Sequence, residues 1–240
     1  TVVAMGTSAP EAAVSITAAL KKSADITIGN IVGSNIINIL IILGILAIVA
    51  PFTVSRSTSL FEIPFMSVIT LLLLFQGKNG YIGLFDGIIL LLIFTAYLTH
   101  LLAITVKKNN SPSDTQTNIE IKDIGLNNDN SENIIASGKI VPILIMVLQL
   151  IIGLALIITG SNIAVSAACK IADFFNMSER FIGLTIVALG TSLPELFTSV
   201  SAAKKGNADI AIGNIVGSNI FNILFVIGIS SVITNIPFFR

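Results

Sequence analysis

The sequence predicts an all-α membrane protein folded as an inverted repeat, on three observations: the solvent preference of the chain, the length of its apolar runs, and a motif that occurs twice. Over 240 residues the mean hydropathy is +0.95, with 54% hydrophobic and 11% charged side chains, a balance that water does not suit. A bilayer core of about 30 Å needs about 20 mostly apolar residues per helix. Residues 28–50, 60–76, 81–106, 140–168 and 210–234 reach or approach that length. Residues 1–20 and 181–203 are two further membrane-length segments, less apolar because each carries Gly-Thr-Ser, a proline and a glutamate.

The repeat decides the architecture. Residues 1–44 align without gaps on 185–228 at a constant offset of 184, with 28 of the 44 pairs identical. Gly6-Thr7-Ser8-Ala9-Pro10-Glu11 returns as Gly190-Thr191-Ser192-Leu193-Pro194-Glu195, and the octapeptide from Gly29 to Ile36 returns unchanged from Gly213 to Ile220. Five crossings separate the starts of the two copies, and an odd number reverses the direction of travel. The copies therefore face opposite ways, the plan in which a site forms near the membrane midplane between halves.

This divides the chain into a first half, 1–106, a polar linker, 107–139, and a second half, 140–240. The linker is rich in Asn, Ser and Asp and reads as solvated. With it on the cytoplasmic side, 7 basic residues (Arg56, Lys107, Lys108, Lys122, Lys139, Lys204, Lys205) face 6 on the other, so charge leaves orientation open. Thr1 opens inside an apolar segment and Arg240 follows closely on one, so no leader is visible and further sequence is expected at both ends. Formal net charge is zero, which gives no reason to expect nucleic acid or a protein partner. Cys169 is a single cysteine, without a mate for a disulfide or a thiol metal motif.

Glu11 and Glu195 stand inside membrane-length segments, where a carboxylate costs about 2.5–3.5 kcal/mol even on the mildest insertion scale. Two of them at matched positions call for a compensating ligand. Pro10 and Pro194 precede them and withhold an N–H from the carbonyls of Gly6 and Gly190, and a broken helix at membrane depth is tolerated where its backbone lines a cavity. Carbonyls at Ala4, Thr7, Ala188 and Thr191, the hydroxyls of Ser8 and Ser192, and the two carboxylates form a hard, all-oxygen donor set. Calcium, which takes about 6–8 oxygens in flexible geometry, fits that chemistry. A single cysteine and a single histidine, His100, support zinc or copper poorly.

The following helix of each half carries Asn30, Ser34 and Asn38, or Asn214, Ser218 and Asn222, at four-residue spacing that aligns them as one polar stripe. Ser34, Asn38, Ser218 and Asn222 are read as completing the coordination shell, against the alternative of polar glue between helices. Asn35 and Asn219 are evenly balanced between those roles. The Gly29/Gly33 and Gly213/Gly217 pairs read as packing elements. Asp25 and Asp209 read as N-caps, Glu62 and Asp86 as first-turn acids, Ser178-Glu179 as a helix start, and His100 as interfacial.

Gly-Thr-Ser-x-Pro-Glu followed by Gly-Asn-Ile-Val-Gly-Ser-Asn-Ile-x-Asn, twice and inverted, resembles the cation/calcium antiporter superfamily and within it the prokaryotic sodium/calcium exchangers. The resemblance covers the chain apart from its linker. It implies an inverted-repeat polytopic transporter, not an enzyme, with about seven of an expected ten transmembrane helices present here, in the plasma (inner) membrane of a prokaryote. It further implies that Glu11 and Glu195 hold Ca2+ directly and bind Na+ in alternation. The carbonyls of Ala4, Thr7, Ala188 and Thr191, with Ser8, Ser34, Ser192 and Ser218, would line flanking Na+ positions.

Asn38 and Asn222 match the family's central polar pair, where several relatives have Asp at the second position. The expected activity is export of Ca2+ in exchange for Na+ by alternating access, with the lipid bilayer and the transported ions as partners and no cofactor. A proton/Ca2+ antiporter is the nearest alternative, a cation channel a more distant one, and a non-transporting scaffold the remotest.

Overall fold

A computed structural model describes residues 2–49, 54–109 and 140–238. The elements run α1 (Val2–Thr7), α2 (Ala9–Leu20), α3 (Ala24–Ile36), a π-helical turn (Ile37–Ile42), α4 (Leu43–Val49), a second π turn (Thr58–Glu62), α5 (Ile63–Gln76), a 3-10 turn (Gly77–Asn79), β1 (Tyr81–Ile82) and α6 (Leu84–Asn109). After the linker come α7 (Ile140–Phe175), α8 (Glu179–Ile182), a π turn (Gly183–Val187), α9 (Ala188–Thr191), α10 (Leu193–Lys204), α11 (Ala208–Phe221), a π turn (Asn222–Ile227), α12 (Gly228–Ile233) and β2 (Ile236–Pro237). The chain separates into two units, 1–95 with 157–240, and 96–156. The second unit holds the end of α6 and the start of α7, and everything below concerns the first.

Among the described residues, four helical runs are long and apolar enough to cross a membrane unbroken: Ala24–Val49, Thr58–Asn79, Leu84–Ile104 and Ala208–Ile233. Glu179–Thr191 with Leu193–Lys204 makes a fifth as a pair bent by 40°. The segment expected over 1–20 is likewise interrupted, as α1 and α2. Apolar side chains such as Leu40, Ile48, Phe75 and Phe85 stand well exposed, as they do when lipid is the solvent.

Contacts at one end of the bundle fix the sense of each copy. Tyr81 and Ile82 pair antiparallel with Pro237 and Ile236, and Phe238 N donates to Gly80 O at 2.8 Å. Arg180 donates to Asp25 Oδ1 at 2.8 Å and to the carbonyls of Pro237 at 2.8 Å and Phe238 at 3.1 Å. The end of α2 and the start of α3 thus meet the start of α8 at the same end. The first copy's broken helix finishes where the second copy's begins, so the copies run in opposite senses, as the crossing count predicts.

Two apolar clusters, in which alanines stand among larger aliphatic side chains, pack the bundle. Val14 and Ala18 of α2, Ile26 of α3, Val165, Ala168 and Ala172 of α7, and Ile182 with Val187 form one. Ile42, Leu46, Ala203, Ala211 and Ile215 form the other. Without water to drive association, helices approach through such short side chains. Gly29 and Gly33 act this way: a Cβ on Gly29 would meet Arg180 O and lie 2.8 Å from Leu184 N, and one on Gly33 would lie 2.6 Å from Ala188 Cβ. The packing expectation holds for this pair.

Several boundaries also differ from expectation. α3 and α11 begin at Ala24 and Ala208, so Asp25 and Asp209 lie inside their first turns, with Ser23 and Asn207 at the capping positions. Asp25 is an ion-pair partner rather than a cap. Glu62 closes a π turn instead of opening a helix, since Pro64 offers no N–H to the carbonyl of Leu60 and the turn before it winds wide. Tyr81 and Ile82 are strand, and α6 runs on to Asn109, past the expected linker boundary. The linker from 110 to 139 lies outside the described residues. Ser178 does start a helix, accepting from Phe181 N, and Asp86 accepts from Gly83 N at 3.0 Å at the head of α6.

Candidate ion site

Each broken helix breaks at the serine of Gly-Thr-Ser. Ser8 has φ −83° and ψ 9°, Ser192 φ −82° and ψ 0°, both in the bridge region between helix and strand. Pro10 and Pro194 fall in the first turn of the helix that resumes, where a missing N–H costs nothing. Glu11 and Glu195 therefore sit in the first turns of α2 and α10, at the end of each helix that favours negative charge. Both side chains are fully buried, at 0% exposure.

The hydroxyl serving each carboxylate comes from the other half. Ser8 Oγ donates to Glu195 Oε1 at 2.7 Å, and Ser192 Oγ donates to Glu11 Oε1 at 3.3 Å. Ser218 Oγ adds a bond to Glu195 Oε1 at 3.4 Å. Thr7 Oγ1 reaches Asn214 Oδ1 at 3.3 Å and Thr191 Oγ1 reaches Asn30 Oδ1 at 3.1 Å. Asn38 Nδ2 donates to Asn219 Oδ1 at 2.9 Å, and Asn222 Nδ2 to Asn35 Oδ1 at 3.1 Å. Apart from the Ser218 bond, these pairs interchange under the 184-residue offset, so the two copies are related by an approximate two-fold axis through the site.

Within each half a second tier holds the asparagines. Asn30 Nδ2 donates to Ser15 Oγ at 3.0 Å, and Asn214 Nδ2 donates to Ser199 Oγ at 3.1 Å. Ser34 Oγ lies 3.4 Å from Thr191 Oγ1, which ties it to the same network. The carbonyl of Ala4 accepts from Ser8 N at 3.0 Å and Thr7 Oγ1 at 3.2 Å, and that of Ala188 from Ser192 N at 3.0 Å and Thr191 Oγ1 at 3.3 Å. All twelve expected site residues thus belong to this network or flank it directly.

What the network leaves over defines its chemistry. Glu11 Oε2, Glu195 Oε2, Asn38 Oδ1 and Asn222 Oδ1 are buried acceptors without a hydrogen-bond partner. Among the described residues no Lys or Arg forms an ion pair with either glutamate, the recorded pair being Arg180 with Asp25. Two carboxylates buried without a protein counter-charge cost several kcal/mol each, and the neutralising charge that this arrangement invites is a hard cation taken by oxygen. Asn38 is the second residue of the π-helical turn Ile37–Ile42 and Asn222 the first of Asn222–Ile227, an irregularity frequent at functional sites.

Sequence reasoning left out Ser15 and Ser199, which hold Asn30 and Asn214. Their signal was available: each follows its glutamate by four residues and so shares its helical face. The cross-half pairing of Asn35 with Asn222 had no such signal, because it depends on how α3 and α11 cross.

The sodium/calcium exchanger protein family model matches residues 1–103 and 145–239. The inner membrane protein YrbG of Escherichia coli (strain K12) is 36% identical over 236 residues, 98% of this chain and 68% of that protein. The sodium/calcium exchanger MaX1 of Methanosarcina acetivorans is 31% identical over 273 aligned positions, 96% of this chain and 71% of that protein. Among solved structures, the sodium-calcium exchanger NCX_Mj superposes with a TM-score of 0.63 at 31% identity, over 99% of this chain and 70% of the other.

Proposed function

This chain belongs to the sodium/calcium exchanger family of membrane transport proteins, and from that premise we propose that it expels Ca2+ in exchange for Na+ by alternating access around Glu11 and Glu195. The observation that carries the reading is the pair of buried carboxylates, each served by a hydroxyl of the opposite half and each keeping one oxygen unpartnered. One divalent ion or two monovalent ions cancel the charge of that pair. An empty site stays doubly negative, and moving it through an occluded, low-dielectric intermediate is costly. Competition for the same oxygens therefore couples the two ions, since only an occupied site crosses cheaply.

Within the site, Glu11 and Glu195 hold Ca2+ with Asn38 and Asn222 as neutral oxygen ligands. Na+ binds on the flanks, between the carbonyls of Ala4, Thr7, Ala188 and Thr191 and the hydroxyls of Ser8, Ser34, Ser192 and Ser218. The protein works in the plasma (inner) membrane of a prokaryote.

Two protons neutralise two carboxylates as well as two Na+ ions do, and with Asn at 222 the centre holds no third acid. That observation favours proton coupling as the second reading. Ca2+ uptake into vesicles containing the protein, driven by an imposed Na+ gradient or an imposed pH gradient, separates the two. Glu11→Gln and Glu195→Gln keep the side-chain shape and remove its charge, so each is expected to abolish uptake while leaving the folded yield near that of the parent. Parental Ca2+ flux in either variant refutes the site.

A further inference from the structure

We infer that Asn35 and Asn219 are positioning residues which decide the end of the neighbouring amide that faces the ion. This rests on the ion-site reading above and deepens it. An asparagine amide has two unlike ends, and only its oxygen ligates a cation. When two asparagines pair, the bond has a direction, and the partner's choice of end dictates the other's. In both copies the direction is the same: Asn38 and Asn222 give their N–H, and Asn219 and Asn35 accept it with Oδ1, at 2.9 Å and 3.1 Å. Asn38 Oδ1 and Asn222 Oδ1 are thereby left buried and unpartnered, as are Glu11 Oε2 and Glu195 Oε2. With both bonds reversed, two N–H groups would meet the cation and repel it.

Asn35 and Asn219 are not themselves placed as ligands. Each follows the stripe residue Ser34 or Ser218 by one position, about 100° around the helix from it. Both line a cavity of about 200 Å³ whose other walls include Ile31, Met66, Leu73 and Ile223, an apolar setting between α3, α5 and α11. Asn219 Nδ2 has no partner, so the hydrogen bond that this side chain makes among the described residues is the one it accepts from Asn38. Since each pair joins one half to the other, the oxygen offered by the first half is oriented by the second.

Equilibrium binding of 45Ca2+ to the purified whole chain in detergent tests the assignment. Asn219→Leu removes the acceptor and frees the Asn38 amide to turn, with an expected loss of about tenfold in Ca2+ affinity, the scale of one hydrogen bond. In an Asn38→Asp background the same change is expected to cost less than about twofold, because a carboxylate has two equivalent oxygens and no end to choose. Asn219→Asp, which keeps an acceptor, is expected to bind no more weakly than the parent. Asn35→Leu with and without Asn222→Asp repeats the cycle through the two-fold, should Asn219→Leu fold poorly.

Equal losses in both backgrounds, or no loss in the parental one, overturn the orienting role and leave the ion site standing. A parent that binds no Ca2+ overturns the site reading, and this inference with it.

Discussion

Gly29, between Ile28 and Asn30 on α3, leaves no room for an added methyl group. At Gly29 it would run onto Arg180 O and stand 2.8 Å from Leu184 N. Both are backbone atoms of a helix, so no side-chain rotation relieves the clash. α3 has to retreat from the turn over 180–184 by about 1 Å, with a cost of about 1–3 kcal/mol for overpacking. The displaced helix also carries Asp25, whose ion pair with Arg180 spans the same contact.

Gly29→Ala should therefore lose about 1–3 kcal/mol, equivalent to a Tm fall on the order of 5 °C for a chain of this size. Thermal unfolding in detergent, followed by dye labelling of Cys169, the chain's single cysteine, compares the variant with the parent on one scale. An unchanged or raised melting temperature for Gly29→Ala would refute the packing argument.

The serines of the two copies are unequal: Ser8→Ala removes a 2.7 Å bond to Glu195 and Ser192→Ala a 3.3 Å bond to Glu11. A short charge-assisted bond contributes about 1.5–3 kcal/mol, so 45Ca2+ affinity should fall at least about tenfold for Ser8→Ala and less for Ser192→Ala; the reverse order would contradict the geometry. Asn222→Asp adds a third titratable oxygen pair to the centre. Ionised, it is expected to hold Ca2+ longer and slow turnover; protonated, it is expected to act as asparagine does, so Ca2+ flux measured against pH should differ in profile from the parent. Superimposable profiles at equal expression would remove Asn222 from the ion site.

Much of this molecule was legible before any coordinates, for reasons particular to membranes. A carboxylate beside proline inside an apolar segment has few structural explanations, and finding it twice singled out Glu11 and Glu195, which the fold buries, each on a hydroxyl of the other half. The interruption at Ser8 and Ser192 followed from Pro10 and Pro194 by local chemistry alone. What stayed hidden depends on the crossing of helices that are distant in sequence. Asn30 and Ser34 read as a stripe on one helix, but nothing in their spacing says that Thr191 of the opposite half would sit against both.

Asp25 looked like a cap because Arg180, its partner, is 155 residues away.

The exchange of hydroxyls between copies, Ser8 to Glu195 and Ser192 to Glu11, has a genealogical consequence. One half alone has a carboxylate and a serine, but its serine reaches the wrong carboxylate. An unduplicated ancestor could build this centre only from two molecules lying in opposite senses, which requires a polypeptide that the insertion machinery threads either way. Such a chain must lack a strong bias of Lys and Arg toward one end.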